Sequence, residues 1–229
     1  MKLNRFLPFA AITLFMCSCT SQKSIRGTEY ALMYEQKPTS IVIMPPINET
    51  NATEAKDNFF TTMAIPLIDK GYYVFSPYLT LEMFQSEGAY DSEMFLDGDL
   101  TQFHNVLGCD AVMFTRIKKW SKKALAGTLT VDVEYILRSA TTGDILYKRE
   151  GEIKLDKSVS SGSNSMIGSL IDIAATAINT AATDKVVAGR ECNRYVLVDF
   201  PEGPYSPLYG LDADAPAWKG KVKATVKKK

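Results

Sequence analysis

The chain of 229 residues holds a single histidine, His104. Hydrolytic triads and most zinc sites need a histidine with partners at set places. Cys109, five residues on, is the one nearby thiol that could pair with it, so His104 reads as a structural side chain on a helix. No P-loop, dinucleotide fingerprint or nucleophile elbow occurs. Acids gather at Asp91, Glu93, Asp97 and Asp99, and again at Asp212 and Asp214. The Asp97-Gly-Asp99 piece lacks the other ligands of a calcium loop, and both groups read as solvated loop acids. The expectation is therefore no catalytic residue, no metal and no cofactor: a protein that is not an enzyme. The rival reading is a hydrolase or small-ligand binder built on the acids around 91–99. It requires a concave pocket that raises their pKa values.

Long apolar runs are scarce too. The run from Phe6 to Met16 is shorter than the roughly 20 residues that cross a bilayer. A second apolar stretch, from Ile167 to Ala181, is interrupted by Asp172 and Asn179, with Asp184 beyond it. The first run follows Lys2 and Arg5 and ends at Ser18-Cys19, which is the order of a secretory signal. A cysteine at that place resembles a lipobox, with lipid attached to Cys19 after removal of residues 1–18. Cys17 is the rival site, but it would put bulky Met16 at the cut. Several acyl chains hold a protein firmly where one holds it marginally. Thr20-Ser21-Gln22-Lys23 carries neither an aspartate after the cysteine nor an acidic run. By resemblance to sorting rules, that places the anchor in the outer membrane, facing the periplasm.

Charge is balanced overall, 26 basic against 26 acidic, but unevenly placed. Six lysines and no acid follow Trp218. Without them and the two signal charges, 18 basic groups face 26 acidic ones, about −8. No basic stripe marks the body for nucleic acid. The tail, residues 211–229, is expected to be flexible; its charge could also reach anionic lipid or an acidic partner. Beyond the signal only Cys109 and Cys192 remain. They are a possible disulfide in an exported protein or two buried free thiols.

Hydrophobic patterning predicts a tether at 19–38, then one α/β domain at 39–210. Ser40–Met44 reads as a buried strand ended by Pro45-Pro46. A helix follows with Ala55, Phe59, Phe60, Met63, Leu67 and Ile68 on one face, opened by an Asn51/Glu54 capping pair and closed at Gly71. Strands are expected at Tyr72–Phe75 and Ala111–Ile117, with short helices at 79–85 and 100–107 between them. Thr128–Arg138 alternates apolar and polar and turns at 140–144 into a hairpin with Ile145–Ile153. After a serine-rich link, 158–165, come a long helix on Ile167, Leu170, Ile171, Ala174 and Ile178 and a last strand at Tyr195–Val198. The order gives a mixed sheet with an early strand-helix-strand unit and a later antiparallel hairpin.

Aromatic side chains offer the clearest functional hint. Tyr72, Tyr78, Tyr205 and Tyr209 are candidates for partner contact, the last two within a proline-rich segment. Tyr73 and Phe75 are expected in the core.

Several pieces in order resemble a family of bacterial lipoproteins that includes a neisserial genome-derived antigen. They are the lipobox, Ile41-Val-Ile-Met-Pro-Pro46 with Asn48 and Thr50, Gly71-Tyr-Tyr-Val-Phe-Ser-Pro77, Leu107-Gly-Cys-Asp-Ala-Val-Met113 and Gly203-Pro-Tyr-Ser-Pro207. The likeness runs over most of residues 19–209. The core also looks like a wider group: the curli secretion channel lipoprotein, an outer-membrane activator of peptidoglycan synthases, and the N-terminal domain of the Tol-system propeller protein. The resemblance implies an envelope accessory protein that binds other proteins, among them a curli-channel-like lipoprotein, or itself as a homo-oligomer. A second implied role is activation of a peptidoglycan synthase. No catalytic residue is implied.

Overall fold

Residues 24–88, 91–123, 125, 128–156 and 181–227 are described by the computed structural model. The expected signal, Cys17, Cys19, the serine-rich link and nearly all of the long helix expected on Ile167 to Ala181 lie outside them.

The sheet grows from Ser40–Ile43 (β1), whose four residues are all buried. A strand buried on both faces reads as an unbroken apolar run, and successive side chains here serve two different cores. Ile41 and Ile43 face one, Val42 and Met44 the other. Two short parallel partners are Ile47–Asn48 (β2), on Ala111–Lys123 (β4), and Tyr73–Val74 (β3), on β1. β4 runs parallel to β1 on its other side and antiparallel to Thr128–Ser139 (β5), which pairs antiparallel with Ile145–Asp156 (β6). Lateral order is β3-β1-β4-β5-β6-β7, with β7 at Val222–Lys227, parallel to β6. The α/β mixed sheet and the antiparallel hairpin are thus as the sequence predicts.

Helices cover the faces unequally. Arg26–Glu29 (α1), Ala31–Gln36 (α2), Glu54–Phe60 (α3), Ala64–Asp69 (α4) and Ala181–Val196 (α8) belong to the side of the larger core. That core holds Met33, Phe59, Met63, Leu67, Val131, Val133, Tyr135, Tyr147 and Cys192. Gly151 on β6 lets α8 come close, since a Cβ there would stand 2.1 Å from a Val196 methyl. Pro77–Ser86 (α5), Glu93–Leu96 (α6) and Thr101–Leu107 (α7) supply Phe84, Phe95 and Phe103 in turn to a smaller core on the opposite face. Past that core, among the described residues, the second face carries charges. Glu134, almost fully buried, sits among Arg116, Lys118 and Lys148 at 3.0, 3.4 and 3.2 Å. Burial alone would raise its carboxyl, but Lys148, Lys118 and Arg116 outweigh that and hold it below the ordinary range.

Several expectations need correction. The single helix expected from Ala55 to Ile68 is two, because Pro66 has no N–H to give the Thr62 carbonyl and its ring crowds that position. α3 opens without a side-chain cap on Thr53. The loop before it is tied by Asn48, which donates to the Ala52 carbonyl at 2.8 Å and accepts from Thr50. Tyr195–Val198 is no strand: α8 runs to Val196, and Ala188, Cys192, Tyr195 and Val196 share one helical face in the larger core. Residues 25–36 are not tether, since α1 and α2 place Tyr30 and Met33 in the core. Nor are residues 211–227 a loose tail, because Ala224 and Val226 of β7 pack onto the larger core. Cys109 and Cys192 are free and belong to cores on opposite faces of the sheet, so they form no disulfide. Burial pushes the Cys109 thiol up to about 12.

One buried ion pair joins these parts. Arg149 of β6 meets Asp199 at 2.8 Å, both side chains almost wholly buried. The Asp199 carboxylate also accepts from the Tyr30 hydroxyl (2.7 Å), the Tyr147 hydroxyl (3.3 Å) and the Trp218 N–H (2.8 Å). Arg149 donates to the carbonyls of Trp218 and Gly220, at 2.6 and 3.2 Å. Asp199→Ala would leave a buried guanidinium uncompensated and should cost about 3–5 kcal/mol in urea unfolding. The double change Arg149→Met with Asp199→Leu should recover much of that loss. A single-mutant loss under about 1 kcal/mol, a surface-pair value, would contradict this role.

Candidate functional site

Four exposed tyrosines and several aliphatic side chains gather around the β3 end of the sheet. α4 stops at Gly71, whose φ of +80° suits the left-handed conformation. The chain then enters β3 with alternating sides. Tyr72 and Val74 turn toward the larger core, while Phe75 packs against the smaller one and Tyr73 turns outward. Tyr72 is only 5% exposed, its ring edge-on to Phe200 at 5.4 Å and its hydroxyl donating to the Pro201 carbonyl at 3.1 Å. It is therefore a core residue and not a partner contact. Tyr73, expected in the core, is 54% exposed and stacks edge-on against Phe75 at 5.1 Å. The sequence shows both tyrosines as neighbours; the strand's phase, set by Gly71, decides which one is buried.

The proline-rich segment is held against this corner by backbone and charge. Gly203 N–H donates to the Lys70 carbonyl (2.7 Å) and Tyr205 N–H to the Gly71 carbonyl (3.0 Å). Lys70 pairs with Glu202 at 2.8 Å, Glu202 accepts from the Ser206 hydroxyl at 2.8 Å, and Arg26 pairs with Asp212 at 2.9 Å. Asp212, expected to be solvated, is thus a buried structural acid that also takes the Glu202 N–H; Asp214 is exposed as expected. These ties present Tyr205 (70% exposed), Tyr209 (41%), Leu208 and Leu211 on one side of β3. Tyr78 (67%) and Leu79 at the start of α5, with Ile65 and Ile68 on α4, complete an apolar rim. Of the expected partner contacts, Tyr78, Tyr205 and Tyr209 are exposed here. Tyr73, Ile68 and Leu208 were missed.

The acids around 91–99 do not form an acid-base pair. Asp91, Glu93, Asp97 and Asp99 are all exposed. Asp99 is held below the ordinary carboxylate range by the Thr101 N–H and hydroxyl, at 2.9 and 2.8 Å. A general acid needs the opposite shift. Among the described residues no three histidine, cysteine or acidic side chains gather as a metal site. His104 Nδ1 lies 2.9 Å from the Cys109 carbonyl, which ties α7 to the start of β4. An open cavity of about 480 Å³ lies at the start of β1, lined in part by Glu35, Asp110 and Asp144. Two of these acids already serve the fold: Asp110 accepts from the Thr39 and Ser40 N–H groups, and Asp144 from Gln36 and Thr142.

Residues 28–203 match the model of the GNA1162-like lipoproteins. This chain belongs to that family. The GNA1162-like match bears out the resemblance read from the strand and turn motifs, and it ends at Gly203, ahead of Tyr205 and Tyr209. A GNA1162-like relative, the lipoprotein NMB1124/NMB1162 of Neisseria meningitidis serogroup B, is 25% identical over 198 residues, covering 86% of this chain and 89% of the relative. The crystal structure of lipoprotein GNA1162 from Neisseria meningitidis aligns at 25% identity over 66% of this chain and 99% of its own, with a TM-score of 0.49. A PelC dodecamer from Paraburkholderia phytofirmans aligns at 13% identity over 72% of this chain and 89% of its own, with a TM-score of 0.44. At those scores neither overlay carries contacts across to the GNA1162-like chain described here.

The rim depends on the close approach at Gly71. A Cβ there would stand 2.3 Å from the Ser206 nitrogen, in a backbone conformation that alanine resists. Gly71→Ala should therefore destabilise the fold by about 2 kcal/mol or more in urea unfolding. It should also speed proteolysis between Gly203 and Leu211. Unchanged cleavage there would show that the segment is not held through this contact.

Proposed function

We propose that this lipoprotein is anchored through lipid on Cys19 in the outer membrane, facing the periplasm. There it serves as a non-catalytic subunit of an envelope transport or assembly complex. Its apolar rim would dock other envelope proteins, a curli-channel-like lipoprotein or a second copy among them. The observation that carries this reading is the exposure of Tyr73, Tyr78, Tyr205 and Tyr209 around a sheet end. Tyrosine loses little entropy on binding, and exposed aromatics are enriched at contact centres.

The alternative, an activator that reaches across the envelope to a peptidoglycan synthase, is less favoured. Ser24 already contacts the folded body through the Ala217 N–H at 2.8 Å. The five residue steps from Cys19 to Ser24 span at most about 18 Å. A domain held that close to its anchor has little reach.

The lipid claim is checked by metabolic palmitate labelling. Label should vanish in Cys19→Ala and persist in Cys17→Ala; the reverse pattern would move the anchor to Cys17. The docking claim is checked by photo-crosslinking in cells from positions 78 and 205 of the full lipidated chain, with position 119 as a control. Capture of a channel-like lipoprotein or of the chain itself, from the rim positions alone, is expected. Capture of a peptidoglycan synthase would favour the activator role, and no envelope capture would sink both.

A further inference from the structure

The two ends of the sheet differ in charge. Residues 116–131, from the second half of β4 into β5, hold five bases and no acid. Three of the five are matched within the sheet: Arg116 and Lys118 reach Glu134, and Lys119 stands across from Asp132. Lys122 and Lys123 stand instead across from Leu129 and Thr128, and both are exposed. Asp156, on the far side of Thr128, already pairs with Lys154 at 3.7 Å. Leu125, in the connection between β4 and β5, is fully exposed. The hairpin end is thus an apolar side chain beside two lysines. At the β3 end the balance is reversed. Residues 71–115 hold seven acids and no lysine or arginine. Asp69, next to Ile68 on α4, is exposed, and so is Glu82 of α5, which takes a hydrogen bond from the Tyr78 hydroxyl. Lys70 is spent on Glu202. Lys37, two residues before the carbonyl that takes the Tyr73 N–H, is exposed and offsets one of these charges.

We propose that the β4–β5 hairpin end of one copy, with Lys122, Lys123 and Leu125, docks on the apolar rim of a second copy. The inference deepens the docking reading above, and rests on it, by naming the occupant of the rim. Charge complementarity selects that occupant, because tyrosines with an acidic border suit a basic segment with an apolar centre. Lysine over a tyrosine face adds a cation–π attraction, and Leu125 would leave water against the rings. One copy cannot make this contact with itself. Tyr73 pairs with Ser40, one position before the level of Ala111, whereas Lys123 ends β4. From Ala111 to Lys123 the strand covers about 40 Å. Lys119, about 13 Å back from Lys123 along β4, lies behind the contact. The two surfaces differ, so the interface is heterologous, and a pair of copies keeps one free hairpin end and one free rim.

The test is photo-crosslinking in cells from position 125 of the full lipidated chain, with two differently tagged copies co-expressed and the linked peptides sequenced. Links from position 125 to residues 73–79 or 205–211 of the other copy are expected. Lys122→Glu with Lys123→Glu should weaken them by about tenfold or more, and Tyr78→Ala with Tyr205→Ala should do the same. Co-expression of these two variants is the decisive arm. The link should return when the crosslinker sits in the rim variant, whose hairpin is intact, and the hairpin variant supplies the rim. Urea unfolding of each variant checks that the fold survives. A link that survives in both folded variants, or one that joins hairpin to hairpin, overturns the proposal. So does the absence of any link between copies while the hairpin variant loses binding to phosphatidylethanolamine vesicles containing phosphatidylglycerol, which would assign the hairpin end to lipid. Capture of another envelope protein from positions 78 and 205, with no link from position 125, would overturn this inference and leave the docking reading standing.

Discussion

A guanidinium and a carboxylate buried together at Arg149 and Asp199 set the geometry of four separate stretches of chain. The pair joins β6, the turn after α8, the α1–α2 junction at Tyr30 and the segment from Trp218 to Gly220. Taking two charges out of water costs several kcal/mol per ion, and attraction offsets this only when the remaining donors and acceptors are met. Here Tyr30, Tyr147, Trp218 and Gly220 meet most of them, though the Arg149 Nε remains without a partner. Such a cluster contributes less to net stability than to uniqueness. An apolar filling could hold these segments together, but it would not fix where residue 218 stops and β7 begins.

How much of this could be read from the sequence follows from the range of the interactions. β1 and the start of β4 are written as short unbroken apolar runs and the β5–β6 hairpin in a pattern of period two, and two of the family motifs lie on β1 and β4. The break at Pro66 was also local and legible, since proline inside an apolar stripe is a stop signal; the stripe from Ala55 to Ile68 masked it. Tyr195 and Val196 look like strand residues until set against Ala188 and Cys192, three to eight positions back, where the helical period shows. The ordering of the two ends could not be read locally at all. Residues 25–36 and 216–227 are ordered by each other, by β6 and by the larger core. The same holds for the functional surface: tyrosines were visible, but the choice between Tyr72 and Tyr73 depended on a phase fixed by the contact of Gly71 with Ser206.

The paired ends bear on how the proposed anchor would act. A domain on a long tether samples many orientations, and any surface of it can meet a partner. Because Ser24 is already bonded to Ala217, a lipid on Cys19, as proposed, would leave at most about 18 Å of chain between anchor and Ser24. The distances inside the domain then matter. Trp218 and the sheet end carrying Tyr73 and Tyr205 are linked through Asp199, Phe200, Pro201 and Glu202, a run tied down at every step by hydrogen bonds or buried rings. The segment at Trp218 and the exposed tyrosines at the sheet end are therefore joined through one tied-down run.

The two edges of the sheet explain why docking would use side chains and not strand addition. An open edge invites another strand, and proteins blunt it by shortness or by lysine. β3 has two residues, too few to template a partner, and its flank is occupied by the segment bonded to Gly71. β7 is longer, but it carries Lys223 and Lys227 among its six residues and begins beside the charged Lys221–Asp132 pair. Backbone pairing is disfavoured at both ends. What the β3 end offers instead is a group of exposed rings and aliphatic side chains, which suits recognition through side chains.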